Sequence, residues 1–328
     1  MYFWGVKWKT DIQELKEMLP VYERLYEKKA VIQQSRPLPA MALQKIKEDL
    51  TVEWTYNSNS IEGNTLSLRE TKMVLLDGIT IKGKSLREHF EAHNHEKAID
   101  YLYRLVNSKY VLRSIDILSL HGLVMRSIED EFAGRLRNGG VRITGANFTP
   151  PNANKVSDLL DELIDFINTN VSGFNDIEMA AIFHHRLAWI HPFFDGNGRT
   201  VRLAMNLLLL RKEFPPAIIL KNDRQKYYEA LNQANNGRYA KLCLLMTQAL
   251  ERSLNIYTAA MPGNGYDDYT AISSLVEEEA MPYGQEYISL LARQGKIDAY
   301  KDGRNWLTTK KAVTDYMASR KRERKLKQ

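Results

Sequence analysis

The sequence predicts a mainly α-helical protein carrying two short β-hairpins, and three features support that. Apolar residues recur at helical spacing, beginning with Ile12, Leu15, Leu19, Tyr22 and Leu25. Alternating, strand-like runs are confined to Val141–Thr144 and to the two runs that flank Asp302-Gly303. Breakers, chiefly Arg36-Pro37-Leu38-Pro39 and Met261-Pro262-Gly263-Asn264-Gly265, cut the helical pattern into blocks.

The first helix is expected over 11–34, stopped by the two prolines, and a second over 42–55. The second leads into Ser58-Asn59-Ser60-Ile61-Glu62-Gly63, where Ser58 and Glu62 lie one turn apart on one face and Gly63 suits a left-handed helix end. A further helix is expected over 85–105. Its His89 and His93 are four apart, but no third ligand stands beside them, so zinc is not expected there. Helices over 115–128, 155–169 and 175–190 follow, with His184 and His185 read as core residues. Between the first two of these, Val141 and Ile143 alternate with Arg142 and Thr144 as one strand of a hairpin, and 147–154 reads as loop. A buried helix is expected over the apolar run 203–210.

Chemistry concentrates in His191-Pro192-Phe193-Phe194-Asp195-Gly196-Asn197-Gly198-Arg199-Thr200-Val201-Arg202. A glycine turn opening a helix presents free backbone N–H groups and the positive end of the helix dipole, which together bind anions. Arg199 and Arg202 are three apart, so two guanidinium forks share one face and suit phosphate oxygens. Asp195 stands before the turn as a candidate Mg²⁺ ligand, because that ion takes one or two carboxylates together with substrate phosphates. His191 is the candidate proton acceptor. Phe193 is expected to anchor the loop in the core. The run lacks the Gly-Lys-Ser/Thr ending of a Walker A loop.

Beyond the breaker at 261–265 the pattern changes. Helices over 269–279 and 284–294, strand-like runs on either side of Asp302-Gly303, and a helix over 310–319 give the order helix, helix, hairpin, helix, which resembles a winged helix. Its basic residues, Arg293, Lys296, Lys301 and Arg304, are offset by Glu277, Glu278 and Glu279, so DNA binding and a structural or protein-docking role both stand as expectations. The net charge of +6 is concentrated in the tail Arg320–Lys327, which reads as a solvated end or a nucleic-acid contact. The single cysteine, Cys243, excludes a disulfide framework and reads as a buried thiol. Neither a bilayer-spanning apolar run nor a signal-peptide pattern is present, so no membrane and a cytoplasmic location are expected.

The run from His191 to Arg202 resembles the H-x-F-x-[D/E]-G-N-G-R-x-x-R signature of the Fic (Fido) family at every specified position. Ser58 to Gly63 resembles that family's inhibitory pattern, [S/T]-x-x-x-E-[G/N]. Gly134-Arg135-Leu136-Arg137 with Val141-Arg142-Ile143-Thr144-Gly145 resembles its flap, and Tyr227 to Asn235 resembles the stretch lining its adenine and ribose site. The likeness covers most of 55–240; Gly237-Arg238 departs from the family's usual Gly-Asp.

The resemblance implies a helical Fic core that moves AMP from ATP onto a Tyr, Ser or Thr hydroxyl of a protein, itself included. It implies His191 as general base and Asp195 as the Mg²⁺ ligand. Gly196, Asn197 and Gly198 would form the anion cradle, Arg199 would hold the β-phosphate and Arg202 the γ-phosphate, and Tyr228 and Asn235 would serve the nucleoside. Glu62, with Ser58, would pair with Arg202 and inhibit in cis, and Val141 to Thr144 would align the target by strand addition. Other readings are removal of AMP at the same site, with Glu62 orienting a water, and a DNA-binding regulator with a nucleotide-sensing core. Members of this class often form dimers, so a homodimer is compatible with it. The domains expected are a helical region at 1–54, the catalytic domain with its inhibitory helix at 55–260 and the winged helix at 265–328.

Overall fold

A computed structural model describes residues 15–106, 111–143, 145–146, 148–169, 173–261, 269–278 and 281–326. Thr144 of the expected flap strand, the start of the first expected helix and the breaker at 262–265 lie outside the described residues.

Helix α1 (Leu19–Gln34) is followed by α2 (Ala40–Ile61), which begins directly after Pro39. Helix α2 runs on past its expected end, so that Ser58 sits in its last turns and Glu62 is its C-cap residue. Gly63 then takes φ +105°, a conformation that favours glycine, and turns the chain away. Helix α3 (Leu68–Leu76) is an element that hydrophobic periodicity does not reveal. It starts with a capping box: Ser67 Oγ accepts from the Glu70 N–H at 3.2 Å, and Glu70 Oε2 accepts from the Ser67 N–H at 2.7 Å.

Helices α4 (Leu86–Val106), α5 (Ser114–Met125), α6 (Val156–Thr169), α7 (Asp176–Ile190), α8 (Asn197–Arg211), α9 (Arg224–Ala234) and α10 (Ala240–Ala259) complete the main body. Helices α7 and α8 lie together at its centre, and the loop that starts at His191 joins them. Both are buried nearly all round, as Phe183, Leu187, Leu203 and Leu207 show, so neither has a polar face to offer solvent. Burying a Leu or Phe side chain contributes about 1.5–3 kcal/mol, so this pair fixes the loop rigidly. One continuous apolar core runs from Leu15 to Met261 and includes Leu25 of α1 and Trp54 of α2.

The expected flap hairpin is not formed as a ladder. Val141, Arg142 and Ile143 have no strand assignment, and among the described residues the only sheet lies in the C-terminal block. The physical reason is that a two-stranded ribbon without a third strand or a covering helix is marginal in water. A turn does close here, with the Ala146 N–H donating to the Ile143 carbonyl at 3.2 Å and Gly145 at φ +79°.

The C-terminal block has the expected order of α11 (Ile272–Glu278), α12 (Gln285–Arg293), a hairpin and α13 (Lys310–Leu326). The hairpin pairs β2 (Ala299–Asp302) with β3 (Asn305–Thr308), so the loop is Gly303-Arg304, one residue later than Asp302-Gly303. Thr270–Ala271, expected to be helical, instead form β1 and pair with β3, Thr270 opposite Thr308. An available strand edge overrides local helical spacing here. Ile272, Ile288, Leu291, Ile297 and Val313 form a second, separate core.

This block is fastened to the main body by charge. Lys28 Nζ meets Asp298 Oδ1 at 2.5 Å, and Lys301 Nζ meets Asp223 Oδ1 at 2.6 Å. The Lys301 carbonyl accepts from Arg252 Nε at 3.1 Å, and the Gly303 carbonyl accepts from Asn222 Nδ2 at 3.2 Å. Cys243 is buried, and burial pushes its thiol up to about 12, which removes it as a nucleophile.

Candidate active site

The loop between α7 and α8 is built from its own hydrogen bonds. His191 caps α7 in the left-handed region, φ +50°, with its N–H donating to the Leu187 carbonyl at 3.1 Å. The Asn197 amide brackets Phe193, accepting from its N–H at 3.0 Å and donating to its carbonyl at 2.8 Å. Phe193 is buried and stacks on His121, with ring centroids 3.6 Å apart and planes at 1°. His121 in turn donates from Nε2 to the Asp195 carbonyl at 3.0 Å and accepts at Nδ1 from the Gly134 N–H at 3.0 Å. Gly196 is left-handed, φ +71°, and a Cβ there would come within 2.7 Å of Met125 Sδ, so a larger residue would be strained and would have to displace Met125.

His191 Nδ1 faces the Ala188 carbonyl at 3.3 Å, so Nδ1 carries the proton and Nε2 keeps its lone pair. Burial, aided by nearby Arg137, lowers the pKa of His191 to about 4. The imidazole is therefore neutral at pH 7, the state a general base needs.

The first helical bond of α8 is Thr200 N–H to the Gly196 carbonyl, at 3.0 Å. The N–H groups of Asn197, Gly198 and Arg199 thus precede the first helical bond and have no carbonyl partner within α8. A carboxylate already sits there. Glu62 Oε1 is 2.8 Å from Arg202 Nη2, and a Cβ on Gly198 would overlap Glu62 Oε1. Arg202, 3 % exposed, also donates from Nε to Ser58 Oγ at 3.1 Å and from Nη2 to the Ser58 carbonyl at 2.8 Å. Burial opposes its charge, but Glu62, Tyr227 and Tyr228 together outweigh this and raise its pKa. Ser58 and Glu62 therefore both contact Arg202, the arginine that the family resemblance implies as their partner.

Arg199 is buried and pairs with Glu91, Nη1 to Oε1 at 3.2 Å. Asp195 is partly exposed at the lip, where Oδ2 meets Arg87 at 2.5 Å and Oδ1 accepts from the Gly196 N–H at 2.6 Å. Burial raises its pKa, but Arg199, that N–H and Arg87 together hold it below the usual carboxylate range. Glu91 also accepts from Asn64 Nδ2 at 2.8 Å, which links the end of the Glu62 turn to Arg199.

Tyr228 is half-exposed, with Arg224 over its ring at 5.1 Å, and Arg224 Nε donates to the Ile61 carbonyl at 2.8 Å. Asn235 Oδ1 faces His185 Nε2 at 2.9 Å, one layer behind. Tyr227 and His184 are core residues joined at 2.8 Å. Arg87, Glu91, His121 and Arg224 also belong to the site and carry no sequence signal, whereas Arg137 lies in the stretch that resembles the flap. Nothing in the local pattern of the first four marks them, because each acts on a segment far away in the chain.

Six of the seven histidines, His93, His95, His121, His184, His185 and His191, have pKa values lowered first by burial. In the unfolded chain each takes a proton near pH 6.5, while in the fold His121, His185 and His191 stay neutral until about pH 4 and His184 until about pH 3. The unfolded state thus binds more protons across this window, and stability falls as pH drops, by about 1.4 kcal/mol per pH unit for each such group. A melting series from pH 7 to pH 5 should show a steep fall in midpoint; a flat series would contradict the buried neutral assignment.

Comparison with known proteins places this geometry. The Fic/DOC family model matches residues 111–209. Protein adenylyltransferase Fic of Aedes aegypti is 33% identical over 279 residues, covering 84% of this chain and 54% of that protein. Protein adenylyltransferase fic-1 of Caenorhabditis elegans is 36% identical over 223 residues, covering 67% of this chain and 44% of that protein. The chain therefore spans about half the length of the curated relatives it matches. Among solved structures, a segment of Fic-1 from C. elegans superposes with TM-score 0.68 at 31% identity, covering 77% of this chain and 74% of that one. A Fic domain containing signaling protein from Bacteroides thetaiotaomicron superposes with TM-score 0.66 at 25% identity, covering 75% and 100%.

Proposed function

Because the chain belongs to the Fic/DOC family, we propose that it transfers AMP from ATP to a Tyr, Ser or Thr hydroxyl of a protein, itself included, and rests in an inhibited state. The observation that carries this is the Glu62 carboxylate lying on Gly198 and Arg202, over the helix start that would receive phosphates. In the step, the target hydroxyl gives its proton to His191 Nε2. Its oxygen attacks the α-phosphorus, the new O–P bond forms, the bond to the α–β bridging oxygen breaks, and pyrophosphate leaves.

The N–H groups of Asn197, Gly198 and Arg199 stabilise the charge that develops, with Arg199 on the β-phosphate and Arg202 on the γ-phosphate. The side chain of Asn197 shapes the loop, so its contribution to ATP is its backbone. Tyr228 lines the adenine side; Asn235 supports that wall through His185. Val141 to Thr144 align the target. Among the described residues no cluster of three or more metal-ligating side chains occurs. A single partly exposed carboxylate beside an anion cradle nevertheless fits Mg²⁺, with Asp195 as its protein ligand once Arg87 yields Oδ2. When bound, Mg²⁺ neutralises charge on the leaving phosphates. The test uses Glu62→Gly protein with ATP labelled on the α- or the γ-phosphate. Label should enter protein from the α position alone; transfer from the γ position would replace adenylyl transfer with phosphorylation.

The proposed division into 1–54, 55–260 and 265–328 is supported at its second boundary by the separate C-terminal core. For that last block we favour a structural or protein-docking role, because the hairpin's Lys301 and Gly303 are engaged with Asp223 and Asn222. Duplex DNA should give no salt-sensitive gel shift; a shift that weakens steeply with salt would overturn this. Among the described residues no helix is long and apolar enough to cross a membrane. A cytoplasmic location is part of the proposal, as is a homodimer, which light scattering would detect.

A further inference from the structure

Arg137 is 2 % exposed and, among the described residues, has no carboxylate partner within ion-pair distance. Every hydrogen bond of its guanidinium goes to a backbone carbonyl. Nε donates to His191 at 2.7 Å, Nη1 to Gly139 at 2.9 Å, and Nη2 to Pro151 at 2.6 Å and to Ile190 at 3.3 Å. Its backbone N–H donates to the Pro192 carbonyl at 2.9 Å. One side chain thus ties the end of α7 and the left-handed His191 to Gly139, where the flap leaves the body, and to Pro151, where it returns.

A charge buried without a counter-ion is costly, and a neutral amide side chain supplies only two N–H donors. The fork of a guanidinium reaches all four carbonyls at once. The flap has no strand ladder among its described residues to fix it; this fork and Phe148, stacked on Trp189 of α7 with ring centroids 6.1 Å apart, tie it to the helix that ends at His191, and of the two only the fork bonds the His191 backbone.

We propose that Arg137 is a positioning residue that couples the flap to the general base, so that a target hydroxyl held by the flap arrives at His191 Nε2. This rests on the adenylyl-transfer reading above. It adds that alignment of target and base passes through one buried cation.

The test compares Arg137→Gln and Arg137→Lys, each in the Glu62→Gly background. For Arg137→Gln the rate of transfer to a protein target should fall about 100-fold, as expected for lost alignment, and KM for the target should rise. The dissociation constant for a non-hydrolysable ATP analogue should stay within about twofold, because the phosphate cradle is held by Asn197 and His121. Arg137→Lys, which keeps the charge and some donors, should recover part of the rate. Unchanged turnover, or a loss matched by equal loss of ATP affinity, would overturn the inference. If Arg137→Gln fails to fold, Arg137→Lys decides by the same split between turnover and ATP affinity. A Glu62→Gly parent that transfers nothing strikes at the functional reading, whereas an active parent with an unimpaired Arg137→Gln strikes at this inference alone.

Discussion

Glu62→Gly is expected to raise AMP transfer about 10- to 100-fold over the unaltered chain. The estimate follows from the contact it removes: a charge-assisted hydrogen bond contributes about 1.5–3 kcal/mol, and each 1.4 kcal/mol is about tenfold. Two effects add in the same direction. Arg202 loses the partner at 2.8 Å that occupies it, and the space above Gly198 is vacated for phosphate oxygens. Ser58 remains, so Arg202 keeps its bonds to Ser58 Oγ and the Ser58 carbonyl and stays in place. The gain depends on Arg202, and adding Arg202→Ala should abolish it. Label incorporated from α-labelled ATP, followed over time, measures both. An unchanged rate in Glu62→Gly would remove the inhibitory role.

His191→Ala in the Glu62→Gly background should lower transfer about 10²- to 10⁴-fold, the usual contribution of a general base. ATP affinity should be nearly untouched, because the loop is held by Asn197 on Phe193 and by His121 on the Asp195 carbonyl, and not by the imidazole. The left-handed backbone at φ +50° is strained for histidine as for alanine, so the exchange adds little cost to the fold. Isothermal titration with an ATP analogue and the labelling assay, run side by side, separate the two effects. Loss of both together would point to collapse of the loop instead of loss of a base.

The helices that surround the site were legible in the sequence because their apolar spacing is long and regular, as over 155–169 and 175–190. The loop from His191 was legible because its chemistry is contiguous. Ser58 and Glu62 were legible as a pair on one helical face, although their partner is far along the chain at Arg202. Helix α3 could have been found from Ser67 and Glu70, a capping box that periodicity alone passes over.

What the sequence hid is of another kind. Thr270–Ala271 became a strand because β3 offered an edge, and Val141 to Ile143 stayed unladdered because no neighbour did. Both outcomes are decided by tertiary partners. Glu91 is an ordinary helix residue until folding brings it against Arg199, and Arg137, although part of the flap-like stretch, gives no sign in sequence of its bond to the His191 carbonyl. Long-range hydrogen bonds of this sort leave no local signature.

The most direct measurement is mass spectrometry of wild-type and Glu62→Gly protein, each incubated with ATP, Mg²⁺ and a cell lysate. Peptides carrying one AMP on a Tyr, Ser or Thr hydroxyl are expected in the Glu62→Gly sample, on the chain itself and on other proteins, with far less in the wild-type sample. Equal modification of both samples would contradict the claim that Glu62 holds the site closed, and AMP-free peptides in both would contradict the transfer itself.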